Sequence, residues 1–134
     1  MTDDRSFQSL GLRDDLLSRL QQMEFTQMTP VQAAALPSAL EGNDVVAQAS
    51  TGSGKTAAFA LACLQRLENT KFHVQSLVLC PTRELAEQVA ESFRELAKHL
   101  SNTKVTTLCG GVAMGPQIGS LQHSAHVVVG TPGR

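Results

Sequence analysis

Ala49, Ser50, Thr51, Gly52, Ser53, Gly54, Lys55 and Thr56 carry the clearest chemistry in the chain. Their order fits a phosphate-binding loop, with Ala49 where a first glycine commonly stands. Small residues let a backbone wrap closely around an anion and turn its N–H groups inward. A helix that opens directly after such a loop presents an N-terminus that favours negative charge. In that arrangement Lys55 reaches the β- and γ-phosphates of a nucleoside triphosphate, and the Thr56 hydroxyl ligates Mg²⁺. Lys55 and Thr56 are the candidate catalytic residues, Thr56 is the candidate metal ligand, and Ala49 to Thr56 form a candidate cofactor site.

Such a loop needs a strand before it and a helix after it. Asp44 to Gln48 is the predicted strand and Ala57 to Leu67 the predicted helix. Further out, strand and helix signals alternate. Ser76 to Cys80, Lys104 to Cys109 and Ala125 to Val129 read as strands; Arg83 to Leu100 and Met114 to Leu121 read as helices. Leu85, Val89, Phe93, Leu96 and Leu100 make one apolar stripe, with glutamates early and basic residues late, as the helix dipole favours. The runs Leu77 to Cys80 and Val127 to Val129 are continuously apolar, the pattern of strands buried on both faces. Repeated strand–helix units specify a parallel sheet, and ligands gather at the carboxyl ends of its strands. Near the start, Leu12 to Met23 has helical spacing. Thr29 and Pro30 form a helix start, with Pro37 expected to bend or interrupt the helix.

The 134 residues are enough for one domain with a core, and the net charge is −1. That balance excludes a generally basic nucleic-acid binder. Residues 1–70 carry five basic and eight acidic side chains, and residues 71–134 carry six and four. Nucleic-acid contact is therefore expected in the second half, through positioned backbone groups and a few arginines. The three cysteines lie far apart in apolar runs and show neither metal nor disulfide spacing. The start is polar and acidic, unlike a signal peptide, and no apolar run is long enough to span a membrane. A cytoplasmic protein without membrane contact is the expectation.

Four further segments fall in order around the phosphate loop: Phe25 to Gln32, with Phe7 upstream; Pro81-Thr82-Arg83-Glu84-Leu85-Ala86; Gly110-Gly111; and Thr131-Pro132-Gly133-Arg134. Together with Ala49 to Thr56 they closely resemble the first RecA-like domain of the DEAD-box RNA helicases, over nearly the whole chain. The resemblance implies an α/β fold of the P-loop NTPase class, with a parallel sheet flanked by helices. It implies ATP and Mg²⁺ as cofactors. Gln32 would read adenine, since one carboxamide offers the acceptor and donor that match N6 and N7. Thr29, Phe7 and Phe25 would support the base. The family usually has Gly where Glu24 stands before Phe25. Pro81, Thr82, Arg83, Gly110, Gly111, Thr131, Pro132, Gly133 and Arg134 would grip the RNA backbone without reading bases.

On this reading residues 1–43 hold the N-terminal helices and the adenine segment. Residues 44–134 hold the phosphate loop and the RNA-contacting segments of a partial first domain, ending before the Asp-Glu-Ala-Asp strand. The implied partners are RNA, with ribosomal RNA and ribosome assembly as the finer expectation, and a second RecA-like domain in the parent protein. The 134 residues alone are expected not to turn over ATP. Because the strands bearing Asp-Glu-Ala-Asp and Ser-Ala-Thr would separate them, Asp44 to Gln48 is expected not to pair with Ser76 to Cys80. Another P-loop NTPase, such as a DNA helicase, and an inactive nucleotide-binding module are the competing readings. Thr29 to Gln32 and Pro81 to Ala86 argue against the first.

Overall fold

The structure is a computed structural model that describes residues 4–134. It divides into two compact units, the first made of residues up to Arg66 with Leu96–His99, the second of Leu67–Glu95 with Leu100–Arg134.

The first unit is helical. A short 3-10 turn, Phe7–Leu10, precedes α1 (Asp14–Gln22), α2 (Pro30–Leu40) and α3 (Lys55–Gln65). Asp14 and Asp15 sit in the first turn of α1 and Arg19 in its last, matching the helix dipole. Leu12, Leu16, Leu20, Leu36, Leu61 and Leu64 are buried and form its apolar interior. The start of α1 is tied to the end of α3, where the Arg13 N–H donates to Gln65 Oε1 at 2.8 Å. Helix α2 begins with a full capping box. The Thr29 hydroxyl accepts from the Gln32 N–H, and the Gln32 side chain accepts from the Thr29 N–H. Contrary to the expected interruption, α2 runs through Pro37 to Leu40. Pro37 is exposed, and the loss of one N–H does not outweigh the alanine-rich turns before it.

The strand expected at Asp44 to Gln48 does not form: residues 43–50 carry no regular structure, and Val46 is fully exposed. A strand exists only through pairing, and among the described residues no ladder partner lies beside this segment.

The second unit holds a parallel sheet of β1 (Ser76–Leu79), β2 (Val105–Leu108) and β3 (Val127–Gly130), in the order β1-β3-β2. Ser76 pairs with Val127 and Leu79 with Gly130; on the other side Val105 pairs with Val127 and Leu108 with Gly130. As expected, β1 pairs with β3 and not with residues 44–48. Helices α4 (Arg83–Leu96) and α5 (Met114–Gln122) complete the strand–helix alternation. Along α4 the buried side chains are Ala86, Val89, Ala90, Phe93 and Leu96, and the Arg94 guanidinium donates to the Val105 carbonyl at 3.2 Å.

Central β3 is buried throughout, as its apolar run implies. Edge strand β1 departs from that expectation: Leu77 is 65% and Leu79 60% exposed, so one of its faces is uncovered. No helix of the described residues is long and apolar enough to cross a membrane.

Candidate nucleotide and RNA-backbone sites

The first unit gathers the predicted nucleotide residues. Gly52 and Gly54 have φ of 82° and 90°, left-handed values that suit glycine. A Cβ on Gly54 would lie 2.5 Å from Gln32 Nε2, so the loop and the adenine segment meet with no room for a side chain between them. Ser50 and Ser53 close a turn through a backbone bond of 3.2 Å. The Lys55 ammonium donates back to the Ala49 carbonyl, folding the lysine across the loop. No side chain caps α3, which leaves the first-turn N–H groups of this helix, at Lys55 and Thr56, directed at the loop. The Ser53 hydroxyl is buried and has no hydrogen-bond partner. An orphaned donor inside a glycine-rich turn, beside an uncapped helix N-terminus, fits a multiply charged phosphate chain.

Gln32 holds this arrangement together. It is only 4% exposed. Its Oε1 accepts from the Thr29 N–H at 2.9 Å, and its Nε2 donates to the Gly54 carbonyl at 3.1 Å. The carboxamide inventory then leaves one N–H and one lone pair, the pair that adenine requires. The same side chain thus caps α2 and anchors the phosphate loop.

Phe7 and Phe25 also come together, ring centroids 6.5 Å apart and stacked at 25°. A bridge between Ser6 and Gln27, and a bond from the Met28 N–H to the Arg5 carbonyl at 2.7 Å, hold the N-terminal strand of chain against the adenine segment. Phe7 is buried and Phe25 is 38% exposed, so Phe25 is the more accessible ring. Glu24 has φ of 61°, which explains structurally why a glycine suits this position.

The second unit gathers the predicted RNA residues at the carboxyl ends of its three strands. Pro81, Thr82 and Arg83 follow β1; Gly110 and Gly111 follow β2; Thr131, Pro132, Gly133 and Arg134 follow β3. The Thr82 hydroxyl accepts from the Leu85 N–H at 3.2 Å and caps α4. A Cβ on Gly111 would lie 3.4 Å from Arg83 Nη1, which places the guanidinium beside the glycine pair. A bond from the Arg134 N–H to the Thr131 carbonyl, 3.1 Å, closes the last turn.

Cys80 and Cys109 are buried beneath these loops. Burial pushes the Cys80 thiol up, and proximity to Cys109 adds to it. Burial also raises Cys109, reinforced by Glu87 and opposed by Arg83 and Arg134. Both thiols stay protonated near neutrality and act as apolar filler. Among the described residues no group of three or more potential metal-ligating side chains occurs.

One contributor escaped the sequence reading. Gln117 on α5 donates from Nε2 to the Cys109 carbonyl at 2.9 Å and accepts from Arg134 Nη1 at 3.3 Å. A lone glutamine six residues beyond a glycine pair gives no sequence signal of that role.

The profile of the DEAD/DEAH box helicases matches residues 29–134. The chain is 58% identical over 118 residues to the ATP-dependent RNA helicase DbpA of Escherichia coli (strain K12), covering 88% of this chain and 26% of that protein. It is 46% identical over 130 residues to the ATP-dependent rRNA helicase RRP3 of Debaryomyces hansenii, covering 97% of this chain and 27% of that protein. The crystal structure of a DEAD box protein from the hyperthermophile Methanococcus jannaschii superposes with a TM-score of 0.89 at 40% identity, over 96% of this chain and 35% of the other. The chain thus spans about a quarter of the length of these two curated relatives.

Proposed function

The chain belongs to the DEAD/DEAH box helicase family, and we propose that it forms the part of an ATP-dependent RNA helicase that binds ATP and the RNA backbone. The observation that carries the reading is the Gln32 bond to Gly54, which joins an adenine-matching carboxamide to a phosphate-binding loop. Gln32 and Thr29 hold the base, with Phe25 beside it and Phe7 behind. The N–H groups of the loop and of α3, with Lys55, hold the phosphates. Thr56 offers its hydroxyl to Mg²⁺. Bound ATP supplies a phosphoryl group whose transfer to water is strongly favourable, with Mg²⁺ neutralising its charge. What this chain contributes is orientation and electrostatic preorganisation of that group.

In the second unit, Thr82, Arg83, the Gly110–Gly111 pair and the Thr131 to Arg134 turn hold phosphates and sugars. Glycines allow close approach, and arginine supplies a planar charged fork. Such contacts position a strand without reading its bases. The reading extends to hydrolysis-coupled opening of short RNA duplexes, with a second RecA-like domain as partner. Ribosomal RNA is the proposed target, supported by the name of the 46%-identical relative; the cytoplasm is the proposed location.

The test is binding. A fluorescent ATP analogue should bind Lys55→Ala at least tenfold more weakly than the parent, because the phosphates lose their main cationic partner. Single-stranded RNAs of equal length and different sequence should bind with similar affinity. Unchanged nucleotide affinity in Lys55→Ala would overturn the phosphate-loop reading. A strong preference for one RNA sequence would overturn the backbone reading.

A further inference from the structure

We infer that Gln117 is a positioning residue that presents Arg134 to the RNA backbone and fixes the Gly110–Gly111 turn against it. The inference rests on the reading of this end of the sheet as the RNA-backbone site.

Helix α5 is a poor helix by composition, with Gly115, Pro116 and Gly119 among its nine residues. None of its residues is buried, and Met114, Ile118 and Leu121 are exposed. Packing therefore does not decide its placement. Polar ties do. Lys104 Nζ, just before β2, donates to the Ser120 carbonyl at 3.3 Å, and Gln117 Nε2 donates to the Cys109 carbonyl just after β2 at 2.9 Å. The second tie pins the residue that leads into the glycine pair.

The other end of the same carboxamide acts on Arg134. Gln117 Oε1 and the Val112 carbonyl both accept from Arg134 Nη1, each at 3.3 Å. Nη1 carries two hydrogens, and the two acceptors account for both. Among the described residues neither Nε nor Nη2 of Arg134 donates to a protein acceptor, so that edge of the guanidinium is not spent on the protein. That edge is the one that grips a phosphate with two parallel bonds. A long side chain held in this way has less freedom to lose when RNA binds, an advantage of roughly two- to tenfold in affinity per immobilised side chain.

The experiment uses the chain and a 5′-fluorescein oligouridylate read by fluorescence anisotropy, with a fluorescent ATP analogue and urea unfolding measured in parallel. Gln117→Leu removes both bonds and should weaken RNA two- to tenfold while leaving ATP-analogue affinity unchanged. Gln117→Glu keeps an acceptor for Arg134 but cancels its charge. Because it also loses the donor to the Cys109 carbonyl, it should lower the unfolding midpoint about as far as Gln117→Leu does, and it should weaken RNA at least as much. In an Arg134→Ala background the cost of Gln117→Leu should fall to less than half its value on a logarithmic scale.

Parent-like RNA affinity in Gln117→Glu or Gln117→Leu, with Arg134→Ala weakened, overturns this inference and leaves the backbone reading intact. Equal losses of RNA and ATP affinity, or an undiminished Gln117→Leu effect without Arg134, overturn it as well. RNA affinity unchanged in both Arg83→Ala and Arg134→Ala overturns the backbone reading itself.

Discussion

Replacing Gln32 separates two roles that one carboxamide performs. Gln32→Ala strips the Thr29 N–H of its acceptor and the Gly54 carbonyl of its donor. Loss of a helix cap costs about 1 kcal/mol, and a buried polar group left without its partner costs about 1–3 kcal/mol. The expected destabilisation is roughly 2–4 kcal/mol. Gln32→Glu behaves differently. A carboxylate still accepts from the Thr29 N–H, so the capping box survives, but it has no hydrogen to give the Gly54 carbonyl. Its cost is the second contribution alone, roughly 1–3 kcal/mol.

Urea unfolding measures both variants against the parent, with the slope checked for constancy. Binding of ATP and GTP analogues gives the second readout. Gln32→Ala should lose roughly 1–3 kcal/mol of ATP binding, the worth of a bidentate base contact, and most of its preference over GTP. An unfolding midpoint in Gln32→Ala equal to the parent's would refute the structural half of this reasoning. Equal ATP affinity would refute the adenine half.

Glu24 has φ of 61°, a conformation that costs an L-residue roughly 1–2 kcal/mol. Glu24→Gly relieves it but adds unfolded-chain entropy of roughly 0.5–1 kcal/mol. The net should be a stabilisation of up to about 1.5 kcal/mol, read as a higher melting temperature; a lower one would contradict it. Cysteine reactivity toward a disulfide-exchange reagent should also be uneven. Half-buried Cys63 should react first, with buried Cys80 and Cys109 reacting only on unfolding. Both buried thiols have folded-state values raised above 9.0. Their contribution to stability is complete at lower pH. It is lost as pH climbs past 9.0 toward the folded values, because the unfolded thiols ionise first. Stability that rises over that range would reverse the assignment.

Much of the fold was legible because its signals are local. The Thr29-Pro30 start of α2 and the apolar run of β3 follow from spacing alone and lie where that spacing puts them. Of the stripe expected over Arg83 to Leu100, Val89, Phe93 and Leu96 are buried in α4, while Leu85 is exposed and Leu100 lies beyond the end of the helix. The misplaced expectations concern pairing and exposure, which are not local. The run at Leu77 to Leu79 reads like a central strand, yet it is an edge with two exposed leucines. Asp44 to Gln48 has the composition of a strand and lacks a neighbour to make it one. Pro37 shows the converse, since a local breaker did not end α2 in a context of strong helix formers.

The sites divide in the same way. Residue types and order pointed to the phosphate loop, and Gly52 and Gly54 have the left-handed backbone that such a loop requires. Sequence could not reveal that Gln32 spends half of its hydrogen-bonding capacity inside the protein, on a cap and on the loop. That double engagement has a mechanical consequence. A base that takes up the remaining N–H and lone pair does so on a side chain already bonded to the loop that cradles the phosphates. On the proposed reading, recognition of the base and the geometry of the loop share one group. On that reading a change at either end is felt at the other through a single carboxamide.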